Sequence, residues 1–201
     1  MDDRRIALSQ LSNDEVKRLA VLHHSVMQTL LSDLGLPVVL RYYQIAKADP
    51  KAVGLCLQSP SGEILGWAMG SPYPDRINAQ LRSPLTWFIL QMFRVMFTRP
   101  LVFWQLLSSM LSTSGQADLE SGSIELTYIG VASAQRGKGL GKEILNGFIE
   151  ICRSRGYHAV ILSVETENLP ALSLYKNTGF KVTKNVSEGR YQRHRMELTL
   201  T

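Results

Sequence analysis

Gln135-Arg136-Gly137-Lys138-Gly139-Leu140-Gly141-Lys142 lies between an alternating apolar stretch, Ser123 to Val131, and an amphipathic one, Gly139 to Arg155, that Gly156 stops. The spacing predicts a strand, a glycine turn and a helix, in that order. Three glycines at alternate positions let the backbone approach a ligand without side-chain obstruction. The first N–H groups of the helix point outward unpaired, at the positive end of its dipole. Arg136, Lys138 and Lys142 add positive charge at the same place. The octapeptide therefore reads as a cradle for a phosphate-bearing ligand, with a purely structural turn as the alternative. It is not a P-loop, which needs GxxxxGK followed by a magnesium-holding hydroxyl. Nor is it a dinucleotide fingerprint, because the chain has GxGxG where GxGxxG is required, and it shows no early βαβ unit with an acidic ribose partner.

Working outward, the C-terminal part reads as a strand over His158 to Glu165, a helix over Leu169 to Thr178 ended by Gly179, and two further strands over Phe180 to Val186 and Arg190 to Leu200. Upstream, residues 4 to 9 alternate weakly as a short edge strand. Ser12-Asn13-Asp14-Glu15 is a capping box, and apolar residues then recur at three- and four-residue steps from Val16 to Leu34, predicting one long helix stopped by Gly35 and Pro37. A shorter helix follows over Val38 to Ala48. Val53 to Gln58 and Glu63 to Met69, joined through Pro60-Ser61-Gly62, form a strand hairpin. The expected fold is α/β (α+β): one domain over residues 1–201, with a mixed central sheet of about seven strands flanked by helices.

With 201 residues, 45% of them hydrophobic, the chain can bury one full core and is neither disordered nor fibrous. Its net charge of +5 divides into +1 over residues 1–84, +2 over 85–116 and +2 over 117–201. That spread suits a local anionic ligand better than nucleic acid, which rewards concentrated basic charge. Cys56 and Cys152 have no CxxC partner, so neither a disulfide framework nor a thiolate metal site is expected. The N-terminal arginines precede no apolar run, so we expect a cytoplasmic protein. His23 fits an apolar helix stripe, and His24, His158 and His194 form no cluster, so no metal is expected.

One compositional anomaly interrupts the domain. Residues 85–111, LTWFILQMFRVMFTRPLVFWQLLSSML, hold four of the six phenylalanines and two of the three tryptophans. Arg94, Arg99 and Pro100 divide this run into pieces too short to span a bilayer, so it reads as a helical hairpin within an insertion over about residues 76–116. Three roles stay open for it: an oligomer interface or core extension, a lid over an apolar acceptor pocket, or a helix at a membrane surface.

Two motifs carry a resemblance to a known family. Arg136-x-x-Gly139-x-Gly141 matches the R/Q-x-x-G-x-G/A motif of the GNAT superfamily of N-acetyltransferases, and it follows a strand as that pattern requires. Asn168-x-x-Ala171-x-x-Leu174-Tyr175-x-x-x-Gly179-Phe180 matches the second signature of the same family at every defined position. The resemblance covers residues 123–186. It implies a GNAT fold, acetyl-CoA as co-substrate, and transfer of acetyl directly to an amine acceptor, whether a small amine, an amino sugar or a peptide amine. A longer acyl donor is compatible with the same motifs.

By the same resemblance, Ile129, Gly130 and Val131 would offer backbone groups to the pantetheine arm. Arg136, Gly137, Lys138, Gly139, Leu140, Gly141 and Lys142 would hold the pyrophosphate. Asn168 would bind pantetheine or a water, besides capping its own helix. Tyr175 would bind the cofactor sulfur and supply a proton to it, since a phenol stays protonated at neutral pH. Glu125, an acid inside an otherwise apolar strand, is the candidate base, with Glu165 and Glu167 as competitors. Alternation places Glu125, Thr127 and Ile129 on one strand face. A cofactor-binding sensor without turnover and a membrane-docked interaction module are the readings outside catalysis.

Overall fold

The computed structural model describes residues 4–98, 100, 121–188 and 191–200. Among the described residues there are seven strands: β1 (Arg4–Ala7), β2 (Val53–Gln58), β3 (Ile64–Ser71), β4 (Ser123–Val131), β5 (Ala159–Glu165), β6 (Lys181–Glu188) and β7 (Tyr191–Thr199). They form one sheet in the order β1-β2-β3-β4-β5-β7-β6. Every neighbouring pair is antiparallel except β4 with β5. The sheet is therefore mixed, as expected.

Alternate residues of the central strands feed two apolar clusters, one on each face. On one side Leu57, Ala68, Ile124 and Leu126 pack against α6 (Leu140–Ser154) and α7 (Leu169–Asn177). Ile144, Leu145, Phe148, Ile149 and Cys152 are the buried stripe of α6, recurring at helical spacing. Full burial of Phe148 alone stabilises the fold by about 2–3 kcal/mol. Gly147 brings α6 close to the sheet, because a Cβ there would lie 2.6 Å from Leu55. On the other face Cys56, Trp67 and Met69 meet α1 (Asn13–Val26) and α3 (Leu36–Ala48), followed by α4 (Pro74–Leu81). With helices on both faces, β2 and β3 are buried at every position.

The single helix expected from Ser12 to Leu34 is interrupted. Met27 adopts an extended conformation, and a four-residue helix, α2 (Leu30–Asp33), begins after Thr29. The Thr29 hydroxyl accepts from the Ser32 N–H at 3.2 Å and lies 3.4 Å from His23 Nε2. Apolar spacing ran unbroken through this point, but a side chain able to cap a new helix was available. Pro37, expected to stop a helix, occupies the first turn of α3, where its missing N–H costs nothing. Between β3 and β4, α4 is followed by α5 (Leu85–Thr98), which ends beside Arg99-Pro100. The second half of the expected helical hairpin, residues 101–111, lies outside the described residues.

The capping box at α1 is formed. Ser12 Oγ accepts from Glu15 N–H at 3.2 Å, while Glu15 Oε2 accepts from Ser12 N–H at 2.7 Å. Gln58 Nε2 donates to the other Glu15 oxygen at 2.7 Å, tying the cap to β2. Those bonds, that of Gln58 foremost, lower the Glu15 pKa to about 2 from an ordinary 4.5. Ser12→Ala should cost about 1 kcal/mol in urea unfolding at neutral pH. Because the folded pKa is depressed, the stability advantage of the wild type over Gln58→Met should be full above pH 4.5 and vanish as pH falls through about 2. A pH-independent difference would show that the bond does not depend on the carboxylate.

Candidate active site

Parallel pairing of β4 with β5 covers only Ser123↔Ala159, Ile124↔Val160 and Glu125↔Ile161. Beyond it, β4 continues to Val131 along β3, and β5 continues to Glu165 along β7. The two strands part. A bulge lies at this point: Met69 pairs with Tyr128 and Gly70 with Leu126, which leaves Thr127 as the extra residue. Gly70 permits the close approach, since a Cβ there would strike the Glu125 carbonyl oxygen.

The bulge also corrects the expected facing of β4. Ile124 and Leu126 point into the α6 cluster, but so do Ile129 and Val131. Tyr128 packs on the opposite face, among His23, Tyr42 and Trp67. One inserted residue reverses the parity, so Glu125 and Ile129 do not share a face. Among the described residues, Ile129, Gly130 and Val131 pair only with β3, which leaves their β5-facing backbone edge open. Gly130 admits the Trp67 ring, 2.6 Å from where a Cβ would be.

The glycine turn follows directly. Gly137 and Gly139 have φ of 78° and 82°, and a Cβ at either would meet nothing within 4 Å. Both positions need glycine for backbone conformation, and the space beside them is open. Among the described residues, the N–H groups of Gly137, Lys138, Gly139, Leu140 and Gly141 reach no backbone carbonyl, whereas those of Lys142 and Glu143 return to Gly139. Arg136, Lys138 and Lys142 are exposed around them, with Lys138 Nζ 2.8 Å from Gln135 Oε1. Gly141 joins three parts of the site, because a Cβ there would touch Leu174 of α7 at 3.7 Å and Val131 of β4 at 3.8 Å.

Tyr175, on α7, is buried against Phe180, with ring centroids 5.7 Å apart. Burial pushes its hydroxyl up to about 12, and among the described residues the hydroxyl has no hydrogen-bond partner. Asn168 caps α7, its Oδ1 accepting from Ala171 N–H at 3.2 Å. Tyr175 belongs to the α6 side of the sheet and Glu125 to the other, so the two candidate catalytic groups flank the parted strands from opposite faces.

Glu125 has a partner that the sequence reading missed. Arg195 of β7 grips it with both terminal nitrogens, at 2.9 and 3.2 Å, and also donates to Ser163 Oγ of β5 at 3.1 Å. Carboxylate and guanidinium are about four-fifths buried. Alternation within Arg193-His194-Arg195 was the available signal, since it puts two arginines on one face of the last strand. Arg193 pairs with Glu165 at 4.0 Å. Tyr128 stands beside this group, its hydroxyl pKa raised well above the ordinary phenol value by burial, with Arg193 opposing and Glu125 adding to the shift. Three of the four histidines are held by hydrogen bonds within the fold: His23 Nδ1 lies 2.8 Å from the Tyr43 hydroxyl, His158 Nε2 lies 2.7 Å from the Ser121 carbonyl, and His194 Nδ1 lies 2.7 Å from Asn185 Oδ1.

Comparison with known proteins gives these features a context. The chain is 39% identical over 56 residues to a mycothiol acetyltransferase of Arthrobacter sp. (strain FB24), covering 28% of this chain and 17% of that protein. It is 36% identical over 53 residues to an L-methionine sulfoximine/L-methionine sulfone acetyltransferase of Pseudomonas paraeruginosa, covering 26% of this chain and 31% of the relative. The matches thus span less than a third of either relative. At the level of fold, the ribosomal-protein-S18-alanine N-acetyltransferase of Escherichia coli superposes with a TM-score of 0.62 at 13% identity, over 98% of this chain and 93% of that one. A Salmonella typhimurium protein solved with its cofactor acetyl-CoA gives 0.64 at 15% identity, over 100% and 95%. The model of the acetyltransferase (GNAT) family matches residues 24–180, well over half of the sequence, and the chain belongs to that family.

Proposed function

We propose that this chain, acting as one domain, is an N-acetyltransferase that moves acetyl from acetyl-CoA directly to an acceptor amine. The observation that carries the reading is the open backbone edge of Ile129–Val131 beside the parted strands, leading from the glycine turn. Left-handed glycines with open space beside them, orphan N–H groups and three exposed cations fit a diphosphate. In this assignment residues 136–142 hold the diphosphate, Ile129, Gly130 and Val131 hold the pantetheine amides as an added strand would, and Asn168 serves both cap and cofactor. The bound thioester supplies an activated acetyl group.

The chain's own residues divide the proton work. Glu125 takes the proton the amine gives up, through a water. Each of its oxygens accepts one N–H from Arg195 and keeps a second lone pair. Arg195 thereby holds the carboxylate in place. Tyr175 donates its hydroxyl proton at the position of the departing sulfur, completing the exchange of a sulfur–carbon bond for a nitrogen–carbon bond. Neither cysteine suits an acyl carrier, because Cys56 and Cys152 are buried and burial pushes both thiols up to about 12. Nothing in this assignment asks for a metal ion, and the proposal takes the reaction to be cytoplasmic.

The names of the relatives imply differing acceptors, so acceptor class is set by experiment. Thiol release measured across small amines, amino sugars and peptides should show turnover with one class. Tight acetyl-CoA binding with no turnover on any amine would replace the enzyme with a sensor.

Tyr175→Phe should lower kcat about 100-fold with little change in acetyl-CoA affinity, since the hydroxyl acts as sulfur charge develops. With a pKa of about 12 the hydroxyl stays protonated across the working range, so any alkaline limb below pH 10 should be shared by wild type and Tyr175→Phe. Glu125→Gln should lower kcat at least about tenfold at pH 7, with partial recovery at high pH as the amine loses its own proton. Gly139→Val should abolish calorimetric binding of acetyl-CoA, because it strains a φ of 82° and fills the open space. Unaltered affinity would remove the diphosphate from the turn.

A further inference from the structure

Helix α5 keeps one narrow side in the protein. Phe88 and Val95 are buried, and Trp87 lies under the Arg41 guanidinium at 4.6 Å, so that edge of the helix is seated against the fold. Leu85, Ile89, Leu90, Phe93 and Phe97 are exposed, Leu85 and Leu90 by 64% and Phe97 by 79%. At about 100° per residue these five positions span an arc of about 140°, opposite the buried pair. Arg94 is exposed at one margin of the arc, and exposed Arg82 precedes the helix. An amphipathic helix normally turns its apolar arc inward, and single monomers rarely expose a contiguous patch of large apolar side chains.

Charge narrows the choice of what covers the arc. No Asp or Glu occurs between Asp75 and Asp118, while Arg76, Arg82, Arg94 and Arg99 fall in that interval. A second copy of the chain fits poorly, because an isologous contact would bring like charges to one seam without a carboxylate to meet them. An anionic lipid surface supplies both an apolar layer and phosphate charge around its rim. No helix among the described residues is long and apolar enough to cross a membrane, and fourteen residues rise only about 21 Å. We propose that α5 is an interfacial docking helix, lying in the plane of an anionic phospholipid bilayer with Phe93 and Phe97 in the acyl boundary and Arg94 at the headgroups.

The full-length protein should co-float with vesicles of phosphatidylglycerol and phosphatidylcholine, and far less with phosphatidylcholine alone or at high salt. Phe93→Ser combined with Phe97→Ser should reduce the floated fraction about tenfold or more, while thermal unfolding and acetyl-CoA binding stay at wild-type values. Arg94→Glu, which leaves the apolar arc intact, should weaken binding to the anionic vesicles and leave the residual binding to neutral ones unchanged. Failure to float with anionic vesicles would overturn the proposal, as would flotation indifferent to the double substitution. A concentration-dependent dimer seen by light scattering, lost in the double variant and unaccompanied by flotation, would assign the face to a second copy instead. None of these readouts depends on acetyl transfer, so the docking surface and the proposed activity stand or fall separately.

Discussion

The parting of β4 and β5 after a single parallel pairing of three residues is the constraint on which the candidate site depends. Parallel neighbours in a buried sheet ordinarily stay hydrogen-bonded, because each lost ladder bond leaves a donor and an acceptor to be satisfied elsewhere. Here β4 remains bonded to β3 on one side and β5 to β7 on the other, so each strand opens only one edge. The extra residue at Thr127 adds local twist at the point of divergence, and Gly70 lets β3 follow it. An extended, amide-bearing arm is the kind of ligand that restores the missing bonds, which links the fold defect to the proposed cofactor.

Around that opening the two faces of the sheet have different chemistry. The α6 side is apolar up to the glycine turn, where exposed backbone N–H groups and three cations stand at its rim. The other side carries the Glu125–Arg195–Ser163 group, drawn from three strands. A mostly buried ion pair adds little net stability, since desolvation offsets attraction, but removing one partner leaves an uncompensated charge. Its value in this position is geometric: a two-toothed grip fixes where the carboxylate oxygens point. Behind it, His23, Tyr43, Tyr128 and Trp67 form a buried aromatic floor. His23 is held neutral there, its pKa pushed down to about 4 chiefly by burial and secondarily by His24.

The segment between β3 and β4 adds surface to the sheet-and-helix core. It leaves β3 at Ser71, returns at Ser123, and anchors α4 through Ile77 and Leu81 in the cluster shared by α1 and α3. Arg41 fixes the start of α5 by donating to the Ser83 carbonyl and by covering Trp87. A few buried contacts thus hold the helix while leaving its widest apolar arc outward.

The sequence by itself determined what local chemistry can specify. Alternation and turn residues located all seven strands to within a few residues, the Ser12 box started α1, and the alternating glycines marked a turn ahead of a helix, which the structure forms with Gly137 and Gly139 left-handed. Such features are written in neighbouring residues, so a linear reading reaches them. It failed where local signals competed, as at Thr29, which caps a new helix inside an unbroken apolar stripe. Tertiary structure alone decided the bulge at Thr127, which sets the facing of every later residue in β4, because a register slip depends on what the neighbouring strand offers rather than on the bulged sequence. It alone decided the union of Glu125 with Arg195, seventy residues away, since no periodicity within one strand encodes which side chain will stand across from it. The outward apolar arc of α5 was likewise invisible in sequence, because the same stripe serves a core or a surface until the fold assigns its other face.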